Sequence, residues 1–342
     1  MNKLHTPPKD WMEPATFYKT ALGNDWYKDL ALIQSEIVNL TFDFFKSKEL
    51  KTVCLPATTG SVTSPMGLGS DSLPVKINLE GTETYLADSM QFHLEYMLRF
   101  LNNGVHYIMP TFRGESADAR HLCQFYHSEA EIIGNLSDVI NLVEEYIKYM
   151  CESLLENNRN LLLKFTENLN HIENLLLILH SSNHFPQITV KEAAVLLEDN
   201  PKYVNKSELG FITITNEGEA KLIEHFNGIV WLTHHDYKSV PFYQAKDKKT
   251  STALNADLLF GIGEVVGCGE RHHNIENLKE AYTELNVNPL EYEWYTHMKK
   301  EKPLQTSGFG MGMERFILFL INHDDIRDTQ IIPRFNGIIF NP

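Results

Sequence analysis

Between positions 308 and 312 every second residue is glycine, Gly308-Phe309-Gly310-Met311-Gly312, and the run continues through Met313-Glu314-Arg315 into the apolar stretch Phe316-Ile317-Leu318-Phe319-Leu320. Alternate side chains of an extended chain share a face, so this spacing predicts a strand with one face bare. A bare face lets a flat ring or a phosphate approach the backbone closely. The apolar residues that follow belong on a core helix. Arg315 opens that helix, and a helix N-terminus favours anions, so Arg315 is a candidate for gripping the γ-phosphate of a nucleotide.

A distant segment carries the complementary chemistry. Phe112-Arg113-Gly114-Glu115 and its continuation Arg120-His121-Leu122 sit between two predicted strands, 105–113 and 122–133. Arg113 and Glu115 point together, and so do Phe125, His127, Glu129 and Glu131. A face holding one histidine and two glutamates is costly to bury dry, so it reads as a polar pocket with Phe125 as a flat surface for adenine. Guanidinium forks match phosphate oxygens, and Arg113 facing the α-phosphate would stabilise charge developing there as a carboxylate attacks. Asp257 and Glu264 flank Gly261 and Gly263. Two carboxylates plus substrate phosphates are a usual way to hold Mg²⁺.

Organisation and composition bound the rest. A chain of 342 residues, 43% hydrophobic and 22% charged, can bury a sizeable core. No stretch approaches the roughly 18 to 20 apolar residues of a membrane helix, and the N-terminus has no secretory h-region. Cys54, Cys123, Cys151 and Cys268 are widely spaced, which fits free thiols in a reducing cytoplasm. The net charge of −15 disfavours broad nucleic-acid binding without excluding a local basic patch. His234-His235 and His272-His273 read as surface or supporting histidines, because adjacent side chains on a strand point opposite ways. Residues 1–28 read as an arm, and 29–48 as an amphipathic helix with Leu32, Ile33, Ile37, Leu40, Phe44 and Phe45 at helical spacing. A strand ends at Pro56, and 57–80 form a long loop. A helix spans 88–100, and 136–165 form a long helical stretch with Ser137 as its cap. An insertion covers about 166–225. Strands follow at 229–232, 239–245, 254–260 and 263–266, then helices at 274–285 and 289–299.

In this order and context the two arginine-bearing segments resemble motifs 2 and 3 of the class II aminoacyl-tRNA synthetases, closest to the asparaginyl and aspartyl branch. The helix, strand and proline ending at Pro56 resemble motif 1, which forms the dimer interface in that family. The resemblance implies an α+β fold: a mostly antiparallel sheet flanked by helices, with a helical insertion between motifs 2 and 3, in a homodimer. It also implies an ATP site of Arg113, Glu115, Arg120, His121, Leu122, Phe125, Glu264, Gly312 and Arg315. Asp257 and Glu264 would hold magnesium. Ser89, Gln91, Glu95, His127, Glu129, Arg271 and Gly308 would hold the amino acid, with Arg271 reading the side-chain oxygen. Leu94-Glu95 looks asparaginyl, since the aspartyl enzymes place a lysine where Leu94 stands.

Other features depart from the tRNA enzymes. The family's anticodon-binding barrel has no room in the 28 residues before the core. The stretch 69–77 and Gln305-Thr306 look more like the AMP-forming bacterial asparagine synthetase, which shares the fold. The leading expectation is therefore a tRNA-independent ligase that activates aspartate or a related amino acid and passes it to ammonia or an amine. Against it, the family's use of Arg271 holds the side chain away from phosphorus. The alternatives are a truncated synthetase paralogue forming an α-aminoacyl adenylate for tRNA, a protein or a small amine, and a non-catalytic amino-acid or nucleotide-binding regulator.

Overall fold

A computed structural model describes residues 4–63, 68 and 72–341. The alternating glycines lie in the middle of an eight-stranded sheet. Its strands are β1 (Lys51–Thr52), β2 (Gly104–Phe112), β3 (Gln124–Ile133), β4 (Gln187–Thr189), β5 (Ile229–Thr233), β6 (Asn255–Phe260), β7 (Gly263–Glu270) and β8 (Thr306–Gly312). They are arranged in the order β1-β2-β3-β8-β7-β6-β5-β4. Only the outer pairs β1/β2 and β4/β5 run parallel. The five inner pairings are antiparallel. The fold is the α+β arrangement expected, a mostly antiparallel sheet flanked by helices.

One face of this sheet is dry. Phe309 and Met311, which alternate with the glycines of β8, are buried. Phe309 packs on Phe45 and Tyr146, which belong to helices α1 (Asp25–Ser47) and α3 (Leu136–Asn157). Between them in the chain lies the short helix α2 (Gln91–Met97). Helix α7 (Met313–Ile321) is buried nearly all round, as an apolar core helix must be. Before it come α4 (Asn170–Ser182), α5 (Asn216–His225) and α6 (Glu293–Glu301).

Several boundaries differ from the sequence pattern for local reasons. Helix α1 begins at Asp25 because the Asn24 side chain accepts from the Trp26 amide, a cap that apolar spacing does not reveal. Asn135, not Ser137, caps α3, in a reciprocal box with Asp138. The loop expected at 57–80 contains strands Thr58–Thr59 and Val75–Leu79, which pair with Thr82–Leu86 in a small separate sheet. Its hairpin turn is Glu80-Gly81, both at positive φ, and its strands are too exposed to alternate in hydropathy. The synthetase-like stretch 69–77 falls partly outside the described residues.

No strand forms at 239–245, where a 3-10 turn (Tyr237–Ser239) and Pro241 break the ladder. The stretch 166–225, expected as an insertion of its own, is woven into the body. Ile172, Leu175, Leu176 and Leu179 of α4 join the main core, and β4 extends the main sheet. Among the described residues no helix is long and apolar enough to cross a membrane, and the four cysteines are free.

Candidate active site

Residues paired across a β-ladder project to the same face, so the polar face of the sheet can be read in rows. One row runs Glu129, Gly310, Gly267, Asp257, and the next runs Glu131, Gly308, Gly269, Asn255. His127 stands beside Gly312 in the row beyond. Polar side chains on the flanking strands thus lean over a floor of four glycines. The sequence reveals two of these, on β8. The matching pair on β7, Gly267 and Gly269, went unnoticed because Cys268-Gly269-Glu270 carries no longer glycine alternation.

One pocket on this face lies around β3 and α7, where the residues expected on the nucleotide gather. The Arg113 guanidinium stands 5.5 Å over the Phe125 ring. Arg315 donates to the backbone oxygens of Glu264 (2.5 Å) and Arg120 (3.4 Å), which fixes its reach across the pocket. Arg113 Nε, Arg120 Nε and Glu115 Oε2 are buried without a hydrogen-bond partner. Orphaned groups of this kind are rare in native proteins and ask for a ligand. Leu122 and exposed His121 complete the wall, with Leu122 anchored in a small apolar cluster against Leu318 and Ile326.

Sequence reasoning missed Glu219. It lies on α5 and forms an ion pair with Arg120 at 3.2 Å, and burial together with repulsion from Glu264 pushes its carboxyl up to about 7. In the sequence it is one of two acids in a first helical turn, a placement the helix dipole explains without any site.

The carboxylates of Asp257 and Glu264 converge over Gly267. A β-carbon there would lie 2.9 Å from Glu264 Oε1 and 3.5 Å from Asp257 Oδ1. Burial, then repulsion from Glu264 and Glu219, raises the Asp257 carboxyl well above its ordinary value. Among the described residues no set of three or more His, Cys, Asp and Glu is placed to hold a metal alone. A pair of crowded carboxylates with phosphates as further ligands still suits Mg²⁺. His235 Nε2 is 3.2 Å from Asp257. His272 is buried against the Tyr237 hydroxyl, away from both pockets of this face.

This crowding carries a stability prediction. A carboxyl whose folded pKa is raised stabilises the fold only at low pH, and that contribution is lost as pH rises from about 3.8, its unfolded value, through the folded one. Without magnesium, Asp257→Asn should therefore match wild type near pH 4 and gain melting temperature over it as pH rises to 8. Thermal melts across that range check this. A variant progressively less stable than wild type at high pH would show that Asp257 is not in a repulsive site.

A second pocket lies beyond His127, where residues expected on the amino acid gather. Glu129 is buried and accepts from Ser89 Oγ at 2.8 Å and from the Tyr107 hydroxyl. Burial works to raise its pKa, but the His127 ring, 3.1 Å away, and hydrogen bonds from Tyr107 and Ser89 hold it below the usual value. Arg271 grips Glu131 through Nε (3.1 Å) and Nη2 (3.0 Å) and reaches Gln91 Oε1 at 3.3 Å. The two pockets share one wall, formed by Arg113, His127, Glu264 and Gly310.

Two residues expected on the substrate lie elsewhere. Glu95 is 0% exposed and pairs with Lys299 Nζ (2.5 Å) and the Tyr295 hydroxyl (2.5 Å), behind the pocket rather than in it. Gly308 lies beneath Glu131, whose Oε2 is 1.8 Å from the place of a β-carbon. Its bare face admits a carboxylate of this chain, not a ligand. At Gly312 the nearest atoms to a β-carbon belong to Arg315 at 3.8 Å, so its face is open to the pocket that Arg315 lines.

A family model described as tRNA synthetases class II (D, K and N) matches residues 18–336. The asparagine–tRNA ligase of Malacoplasma penetrans is 29% identical over 322 residues, 91% of this chain and 71% of that enzyme. The asparagine–tRNA ligase of Buchnera aphidicola is 31% identical over 295 residues, 81% of this chain and 62% of that enzyme. The chain spans 55% to 71% of the length of such relatives. Among solved structures, asparaginyl-tRNA synthetase from Pyrococcus horikoshii complexed with asparaginyl-adenylate superposes with a TM-score of 0.82 at 24% identity, covering 94% of this chain and 71% of that one. The Entamoeba histolytica asparaginyl-tRNA synthetase with the same adenylate gives 0.81 at 22% identity, covering all of this chain and 73% of that one. With a family model matched over nearly its whole length and the glycine-floored site in place, the chain belongs to the class II tRNA synthetases of the aspartyl, lysyl and asparaginyl group.

Proposed function

We propose that the protein activates the α-carboxylate of an asparagine- or aspartate-sized amino acid with ATP, forming an aminoacyl adenylate and pyrophosphate. The observation that carries this reading is the shared wall: a nucleotide pocket and an amino-acid pocket meet at Arg113, His127 and Gly310. Side chains on one face of a strand step by roughly 7 Å. Phe125, His127, Glu129 and Glu131 therefore lay out adenine, the reacting phosphate, the ammonium and the substrate side chain in that order. The carboxylate beside the ammonium falls next to the phosphate position, while a β-carboxylate would lie a step further off, toward Glu131 and Arg271. This order favours an α-aminoacyl adenylate over the β-amide ligase that the sequence alone put first. The relatives, asparagine–tRNA ligases by name, favour it as well.

In this reading Glu129, ionised and buried, holds the ammonium. The α-carboxylate oxygen attacks the α-phosphorus, pyrophosphate departs, and Arg113 stabilises the charge that builds there. Arg315 and Arg120 hold the outer phosphates. Magnesium held by Asp257 and Glu264 would neutralise phosphate charge.

The acceptor is tested by mass spectrometry of two parallel reactions, one with ammonia and one with total tRNA. Aminoacylated RNA in the second is the result expected from the family. Free asparagine formed from aspartate in the first would overturn the α-carboxylate reading in favour of the amide ligase.

A further inference from the structure

The loop that brings Arg113, Glu115 and Arg120 to the first pocket has no ladder of its own. Residues 113–123 lie between the end of β2 at Phe112 and the start of β3 at Gln124, outside the helices and strands. Such a loop opens more readily than the elements it joins, so the place of its side chains depends on what else holds it. On one side the Gly114 amide donates to the Leu73 oxygen at 2.7 Å. On the other the loop meets the segment that follows α7.

Three hydrogen bonds from that segment reach backbone oxygens of the loop. The Ile326 amide donates to the Ala119 oxygen at 2.9 Å. Asn336 Nδ2 donates to the oxygens of Gly114 (2.7 Å) and Glu115 (3.0 Å). Carbonyl oxygens only accept, so these two partners fix the orientation of the Asn336 amide. The Asn336 backbone N–H donates to Cys123 Sγ at 3.3 Å, and that thiol donates to the same Glu115 oxygen at 3.2 Å. One residue thus ties the outgoing arm of the loop to its returning arm.

The segment is braced by Trp11, in the short 3-10 turn Asp10–Met12 of the N-terminal arm. Trp11 Nε1 donates to Asp328 Oδ1 at 2.7 Å. The Arg327 guanidinium stands 4.1 Å over the Trp11 ring. Phe335, next to Asn336, meets that ring edge-on with centroids 6.0 Å apart. Trp11 therefore touches the neighbours of both residues that bond the loop, Ile326 and Asn336.

We infer that Asn336 is a positioning residue: its amide fixes the loop where Arg113, Glu115 and Arg120 line the pocket, and Trp11 holds the segment that presents it. Asn336 itself lines neither pocket, so it acts only through the loop. The inference rests on the adenylation reading for one point, that the loop grips a nucleotide.

The test uses Asn336→Asp, which keeps the shape but sets an oxygen against two carbonyl oxygens. Asn336 is exposed, so this variant leaves the core intact. Trp11→Leu removes the N–H and the ring, and Trp11→Phe restores a ring. Hydrogen exchange is measured at the amides of 113–121 and 326, and calorimetry measures binding of magnesium–ATP and of asparagine separately. In Asn336→Asp, exchange at those amides should rise about 10-fold, as expected from two lost bonds, with β8 unmoved. Affinity for ATP should fall roughly 10-fold as the loop's side chains lose their place. Asparagine binding should hold, because the second pocket takes only Arg113 from this loop. Trp11→Leu should show the same pattern, and Trp11→Phe should recover part of it. Unchanged loop exchange in Asn336→Asp overturns the inference, as does a rise spread evenly over the protein. A variant that binds ATP as well as a binding-competent wild type overturns it too. If the wild type binds no ATP while loop exchange rises in the variant, the adenylation reading fails and the positioning of the loop by Asn336 stands.

Discussion

Arg113→Ala and Arg315→Ala should each lower amino-acid-dependent pyrophosphate exchange by about 10²–10³-fold, the usual cost of losing one pre-placed contact to developing charge. The two losses should differ in kind. Arg113 stands on the wall common to both pockets; in the proposed adenylation its contact is to the reacting phosphate, and its removal should fall mainly on kcat. Arg315 is fixed by two backbone oxygens and lines the pocket proposed for the nucleotide alone, so its removal should raise KM for ATP as well. Neither arginine packs the main apolar core, and melting temperatures should stay close to wild type. Near wild-type exchange in either variant, with the protein folded, would sink the assignment of these residues to phosphate.

Glu129→Gln should leave KM for ATP unchanged and cost on the order of 10²–10³-fold in kcat/KM for the amino acid. The physical reason is that a buried ammonium left without its counter-charge typically loses about 3–5 kcal/mol. The substitution keeps the side chain's shape and leaves it able to accept from Ser89 and Tyr107, so the loss measures charge rather than packing. The wild-type carboxyl is held below its usual 4.5, so KM for the amino acid should stay flat as pH falls from 8 toward 5. Kinetics in both substrates check this. A Glu129→Gln variant with an unchanged amino-acid KM would place the ammonium elsewhere.

How legible all this was depended on the physics at each residue. The glycine alternation of β8 and the polar face of β3 follow from a period of two, and both strands fall where that period put them. The apolar periodicity of α1 and α7 likewise marked the core. Periodicity could not show which face of a bare strand a neighbour would fill. Gly308 therefore looked like Gly312 until Glu131 was found lying over it. Glu95 carries a charge and sits beside apparent substrate residues in sequence. Its helix turns it inward, onto Lys299 and Tyr295.

Glu219 was invisible for the opposite reason. It lies on a segment with an ordinary local explanation, as a first-turn acid, and acquires meaning only from a partner far off in sequence, Arg120. Contacts between such distant segments are set by tertiary packing, which no local pattern encodes.

Amino-acid-dependent exchange of pyrophosphate into ATP, run with magnesium and without any acceptor, tests the central claim most directly. It isolates formation and reversal of the adenylate from every question about what receives it. The account predicts exchange with asparagine or aspartate, absent with unrelated amino acids and lost in Arg113→Ala. No exchange with any amino acid, from a folded protein that binds ATP, would contradict it.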